Sequence, residues 1–144
     1  MKLIALLLLA APAFAADAAP KVDFVKDVLP IFKASCLKCH ALDAAKPKKK
    51  AAAGLRLDDK DAALKGGRSG VALVPGKAED SLLYKLLKGP VDVTVDGKDD
   101  TVDPMPKVKR GEKWKPLPDE QVATIKRWID EGAAWGVEAP AKKP

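Results

Sequence analysis

The segment ASCLKCHA, residues 34–41, holds both cysteines and the only histidine of the 144 residues. Cys36, Cys39 and His40 are strong metal and redox ligands, and the sequence offers no second copy of either residue type elsewhere. Any chemistry that depends on these side chains therefore takes place at one site. The fold has to be built around that site.

Four interpretations of this segment compete. A disulfide between Cys36 and Cys39 would close a very short loop and would stabilise the fold little. A thioredoxin-like redox pair requires a strand before it and a helix after it, and neither is visible. A zinc site would lack a fourth ligand, because the chain has no further Cys or His. In the fourth interpretation, Cys-x-x-Cys-His, both thiols bind haem covalently and His40 binds its iron, which uses all three residues.

The second ligand of such an iron has to come from the remaining side chains. The usual haem ligands are His, Met, Cys and Tyr. Once Met1 leaves with the N-terminal segment, Met105 is the only methionine of the chain. It stands between two prolines, which favour a stiff, non-helical segment suited to holding a thioether over the iron. Lys107, Lys109 and an open sixth position remain as alternatives.

The first residues have the pattern of a cleaved signal peptide. One positive charge at Lys2 precedes an apolar run, and small residues follow up to Ala15. The run is too short to span a bilayer. We therefore predict a signal peptide over residues 1–15, an exported domain over residues 16–137 and a disordered tail over residues 138–144. This organisation predicts a periplasmic protein with no membrane span in the mature chain.

Charge and composition narrow the range of partners. The formal net charge of +6 is a mild excess for a chain of this length, and we take it to be spread out. Nucleic-acid binding would require a concentrated basic face with aromatic side chains, so we expect no nucleic-acid partner. The lysine-rich loop of residues 46–50 would steer an acidic redox partner, or it is simply a solvated surface. We expect a monomer that meets acidic or membrane-bound redox partner proteins.

Apolar periodicity predicts three to four helices. The first precedes the cysteine segment and contains Pro30, which either opens or kinks it. A short helix begins at Asp58 or Asp59, a leucine-rich helix ends at Gly89, and the clearest helix ends at Gly132.

The sequence allows two predictions for the structure of residues 91–104. Val91, Val93 and Val95 alternate before the turn signal Asp96-Gly97, which allows a small hairpin. An acidic loop is the alternative. Such a loop would suggest calcium, but the ligand pattern of a calcium loop is missing.

Four blocks of sequence, in this order, resemble the planctomycete-type cytochrome c domain. They are FVKDVLPIFKASCLKCH, LRLDDKDAALKGGRSGVALVPGKAEDSLL, Met105-Pro106 and LPDEQVATIKRWIDEGAAW. The resemblance runs from about Val22 to Trp135. It implies an all-α cytochrome c fold, with three to four helices around one covalently bound haem and a long loop before the distal ligand. The chain departs from the family pattern at Lys107, where a second proline is common, and in residues 91–104, which look like an inserted loop.

The resemblance also implies the roles of the site residues. Cys36 and Cys39 would attach one haem c through two thioethers, with His40 as the proximal ligand and Met105 as the distal one. An iron bound by His and Met has no position open for substrate, so one-electron exchange is the chemistry that it offers. The sequence therefore predicts an exported monohaem electron carrier without enzymatic turnover. The alternative is a haem-based sensor or ligand-binding module in which a small gas displaces Met105.

Overall fold

The computed structural model describes residues 19–43, 45–46 and 50–136. The predicted signal peptide, residues 1–15, and the predicted tail, residues 138–144, lie outside the described residues. In the described part, four α-helices and a two-stranded sheet form the main elements. None of the helices described there is long and apolar enough to cross a membrane.

The N-terminal helical segment has two parts. A π-helical turn, Phe24–Val28, leads directly into helix α1, Leu29–Ser35. Asp23 caps the turn, because its side chain accepts a hydrogen bond of 2.9 Å from the Lys26 N–H. Pro30 lies in the first turn of α1, where a missing N–H costs no helical hydrogen bond. Pro30 therefore opens α1, which is one of the two roles expected for it.

Two short helices follow the cysteine segment. Helix α2, Lys60–Lys65, begins after Asp59, whose carboxylate accepts a hydrogen bond of 2.9 Å from the Ala62 N–H. Gly66 follows the helix with a φ of 83°, a left-handed conformation that ends the helix at low cost. Helix α3, Leu82–Lys88, is the leucine-rich helix that the sequence predicts.

The prediction of an all-α fold is wrong. Strands β1, Val91–Val95, and β2, Lys98–Val102, form an antiparallel hairpin, so the fold is mixed α/β. Asp96 and Gly97 both have positive φ, 51° and 73°, as the tight turn between two twisted strands requires. The predicted long loop before the distal ligand is therefore largely a hairpin, because strand alternation and turn chemistry agree over these residues.

The hairpin returns the chain to helix α3. Val91 at its start is the register partner of Val102 at its end. Shortly afterwards, the Met105 N–H donates a hydrogen bond of 2.8 Å to the Leu86 carbonyl of α3. The hairpin thus leaves α3 and returns to it, and Met105 has a fixed backbone position beside α3.

Helix α4, Asp119–Asp130, supplies the centre of the core. Ile125, Trp128 and Ile129 are at most 1 % exposed, and the Trp128 Nε1 donates a hydrogen bond of 2.8 Å to the Ala134 carbonyl. Ring centroids between 4.4 and 6.3 Å apart define an aromatic cluster of Phe24, Phe32, Trp128 and Trp135. Of these four rings Phe32 lines a cavity, as does Ile125 of α4, so the core borders that cavity.

Candidate haem site

All four predicted site residues, Cys36, Cys39, His40 and Met105, line one cavity of about 240 Å³. The rest of its wall is mostly apolar and includes the α3 side chains Leu82, Leu83, Leu86 and Leu87. Two thiols, an imidazole and a thioether thus meet in an apolar space. This donor set fits haem, whose ring is apolar and whose iron takes nitrogen and thioether ligands.

The Cys-x-x-Cys-His segment forms the turn that follows α1. The Cys36 N–H and the Leu37 N–H both donate to the Phe32 carbonyl, at 2.8 and 2.9 Å. The His40 N–H then donates to the Cys36 carbonyl at 3.0 Å. These local bonds keep the backbone coiled after the helix has ended. Both thiols and the imidazole are thereby held beside the same cavity.

Residues 52–57 form further backbone hydrogen bonds with the Cys-x-x-Cys-His segment. The Ala52 N–H donates to the Cys39 carbonyl at 2.8 Å, and the Leu57 N–H donates to the His40 carbonyl at 2.7 Å. The Leu55 carbonyl oxygen lies 3.3 Å from Nδ1 of His40. When Nδ1 carries the proton, this bond orients the ring and leaves Nε2 free to bind a metal. The contact of Leu55 with His40 could not be predicted from the sequence, because every residue has the same backbone carbonyl.

The two thiols differ in their surroundings. Both are free, Cys39 being exposed and Cys36 half-buried. Burial, and then the neighbouring Cys39, raises the pKa of Cys36 to about 11. Redox-active Cys-x-x-Cys pairs depend on a lowered thiol pKa. The thioredoxin-like interpretation therefore fits this site poorly.

Met105 lies on a non-helical segment, as its flanking prolines predict. It is half-buried and lines the cavity, as does Lys107. Lys109, the other lysine considered, does not line the cavity. Lys107 forms an ion pair of 3.3 Å with Asp103. The roles of Met105 and of the three residues of the Cys-x-x-Cys-His segment as haem ligands stay predictions.

Comparison with known proteins points to the same class of domain. The family model described as Planctomycete cytochrome C matches residues 36–95, a range that begins at Cys36, includes His40 and ends before Met105. No curated protein and no solved structure matches the chain. The match over residues 36–95 therefore supports a planctomycete-type cytochrome c domain, the family that the resemblance predicted.

Proposed function

We propose that the protein is an exported monohaem c-type cytochrome that carries single electrons between periplasmic redox partners and turns over no substrate. The observation that supports this most is the convergence of Cys36, Cys39, His40 and Met105 on one apolar cavity. In this proposal the two cysteines hold haem c through two thioethers. His40 and Met105 are its proximal and distal ligands.

Haem supplies an iron that alternates between Fe(III) and Fe(II). The role of the chain is to keep the surroundings of that iron constant. The Leu55 carbonyl orients the His40 ring, and the Leu86 carbonyl anchors the backbone of Met105 at 2.8 Å. The leucines of α3 line the cavity and limit the access of water. Because these contacts hold the His40 ring and the Met105 backbone in place, we expect electron exchange to require little rearrangement.

The test is an absorption spectrum of the full chain, expressed with haem-attachment machinery, in oxidised and reduced states. Wild type, Met105→Ala and Lys107→Ala are compared. We expect covalent haem with low-spin spectra and the far-red sulfur-to-iron band in wild type. The band should disappear in Met105→Ala and persist in Lys107→Ala, because only the thioether produces it.

Other spectra would indicate a different distal ligand, a sensor or a chain without haem. An unchanged spectrum in Met105→Ala would remove Met105 from the iron, and a change confined to Lys107→Ala would favour lysine ligation. Rapid binding of carbon monoxide to the reduced wild type would favour the sensor. Absence of covalent haem would overturn the proposal as a whole.

The charge around the cavity supports an acidic redox partner. Residues 107–115, KVKRGEKWK, follow Pro106 and carry five cations and one carboxylate. We name this segment the basic strap. All six charged residues are exposed, namely Lys107, Lys109, Arg110, Glu112, Lys113 and Lys115. Since Lys107 also lines the cavity, the basic strap borders the proposed haem site. A negatively charged partner attracted to the basic strap would be delivered to the haem edge.

The basic strap can be tested with small redox reagents of opposite charge. We expect the double variant Lys113→Glu/Lys115→Glu to be reduced several-fold more slowly by the anion ferrocyanide at low salt. Its rate of reduction by the cation hexaammineruthenium(II) should be unchanged or higher. Lys21→Glu/Lys26→Glu, exposed near the N-terminal helical segment, is the matched control. Equal effects of both double variants would mean that net charge alone, and not the basic strap, attracts the reagent.

A further inference from the structure

The charged side chains that line the cavity are all cationic. Lys38, Arg68 and Lys107 line it, and no Asp or Glu among the described residues does so. All three are exposed residues. A cavity that has to admit a ring with an anionic edge is expected to show this bias, because a charged hydrogen bond from a cation holds a carboxylate in place.

Haem brings such anions with it. Its two propionate carboxylates lie on the edge of the macrocycle opposite the edge that bears the vinyl groups. Lys38 stands between Cys36 and Cys39, which would bind the vinyl groups in the proposed function, so it would lie at the edge opposite the propionates. Lys107 is already paired with Asp103 at 3.3 Å. Arg68 forms no ion pair with any described residue, so its guanidinium remains available.

Arg68 is carried by a tight turn that the backbone defines closely. Gly67 and Gly70 exchange two hydrogen bonds of 3.0 Å, with Arg68 at the tip between them. A Cβ on Gly66 would collide with the Gly70 carbonyl oxygen, and a Cβ on Gly67 would lie 2.7 Å from the Ala53 carbonyl oxygen. Only glycine allows this close approach. The sequence GGRSG therefore presents an arginine on a turn with little freedom.

The same loop positions both Arg68 and His40. The Arg68 N–H donates to the Ala53 carbonyl at 2.8 Å, and the Leu55 carbonyl lies 3.3 Å from Nδ1 of His40. The backbone of Arg68 thus has a fixed position relative to the proposed proximal ligand. A residue that binds the edge of a haem needs such a fixed position, because the iron at the centre of the haem would be bound by His40.

We propose that the Arg68 guanidinium binds a haem propionate carboxylate and so sets both the orientation and the potential of the haem. This inference rests on the proposed function, since it requires haem in the cavity. Arg68 is a positioning residue and does not bind the iron. A cation at this place stabilises the ionised propionate, which lowers the pKa of that carboxyl. It also favours Fe(II) over Fe(III), because the reduced iron carries less positive charge.

The test is an equilibrium redox titration of the purified holoprotein between pH 5 and pH 9. Wild type is compared with Arg68→Gln, Arg68→Lys and the control Lys38→Gln. We expect Arg68→Gln to lower the midpoint potential and to introduce a pH-dependent step, because the propionate then titrates within this range. Arg68→Lys should restore most of the potential and suppress the step. Lys38→Gln should show no step.

The readouts separate this inference from the proposed function. If wild type lacks covalent haem, the proposed function fails whatever Arg68 does. If wild type and Arg68→Gln have the same low-spin spectrum, potential and pH profile, the proposed function stands and the role of Arg68 is overturned. A step that appears equally in Arg68→Gln and Lys38→Gln would also overturn it. A purely structural role would change haem content or stability without the pH-dependent step, and would count against the inference in the same way.

Discussion

Gly67 packs so closely against Ala53 that a Cβ at position 67 would lie 2.7 Å from the Ala53 carbonyl oxygen. The same Cβ would lie 3.1 Å from the backbone nitrogen of Leu55, whose carbonyl faces the His40 ring. The site is therefore tied to a glycine that lies far from His40 in sequence.

Gly67→Ala should destabilise the protein by about 1–3 kcal/mol, because the added methyl overpacks against backbone atoms that have little room to move. It should also disturb the haem spectrum through Leu55 and His40. Chemical denaturation and absorption spectra of the holoprotein measure the two effects. Gly89→Ala is the control, since nothing lies within 4 Å of a Cβ at that position. Normal stability of Gly67→Ala would mean that the loop shifts freely.

The haem-free chain should be poorly stable. Few large side chains are available for the core, and the cavity of about 240 Å³ is lined by apolar residues that haem would cover. The variant Cys36→Ala/Cys39→Ala should melt at a temperature lower by on the order of 10 °C than the holoprotein. Thermal unfolding followed by circular dichroism tests this, with Leu42→Ala, exposed at 53 %, as the control. Equal melting temperatures would show that the core is complete without haem.

The ion pair of Asp58 with Arg56 should make stability depend on pH. Burial raises the pKa of Asp58, but hydrogen bonds from the Arg56 guanidinium and the Leu42 N–H outweigh it, and the pKa lies below its ordinary value of 3.8. The stabilisation is therefore fully present above the unfolded pKa and is lost as the pH falls through the folded value. Asp58→Asn should cost about 1 kcal/mol at pH 7 and clearly less at pH 3. Urea unfolding at both pH values measures the difference. A difference of the same size at both would assign it to packing instead of charge.

Weakening the β1–β2 hairpin should not displace Met105, the proposed ligand that follows it. Gly97 has a φ of 73°, so Gly97→Ala should weaken the turn by about 1 kcal/mol. Amide hydrogen exchange in strands β1 and β2 should then become about fivefold faster, while the far-red band assigned to Met105 persists. Lys98→Ala, in the same hairpin, is the control. Loss of the band in Gly97→Ala would show that the hairpin, and not only the bond to Leu86, holds Met105.

Several features of the fold and of the site are predictable because their causes are local. Asp59 caps α2 through its own carboxylate, and Pro30 opens α1 because of its ring. The Cys-x-x-Cys-His segment could be named as the candidate site because its residues are scarce and their spacing matches one cofactor. Met105 could be named as the candidate second ligand by elimination, and both roles stay predictions. In each case the side chain itself carries the chemistry, so reading the residue is enough.

The mixed fold could not be decided in this way. The alternation of Val91, Val93 and Val95 suits either a hairpin or a loop, and strands exist only if a partner pairs with them. The positive charge of the basic strap, residues 107–115, can be counted from the sequence. Its position next to the cavity could not be predicted, because only the folded chain shows that Lys107 lines that cavity.

Residue types alone show which side chains offer ligand chemistry in this protein, namely the thiols of Cys36 and Cys39, the imidazole of His40 and the thioether of Met105. Only the folded chain shows that all four line one cavity, that the Leu55 carbonyl lies 3.3 Å from Nδ1 of His40 and that Arg68 lines the same cavity. The physical reason is that these relationships depend on hydrogen bonds and packing between distant segments. A backbone carbonyl such as that of Leu55 or Ala53 is the same in every residue, and only the folded chain gives it a partner.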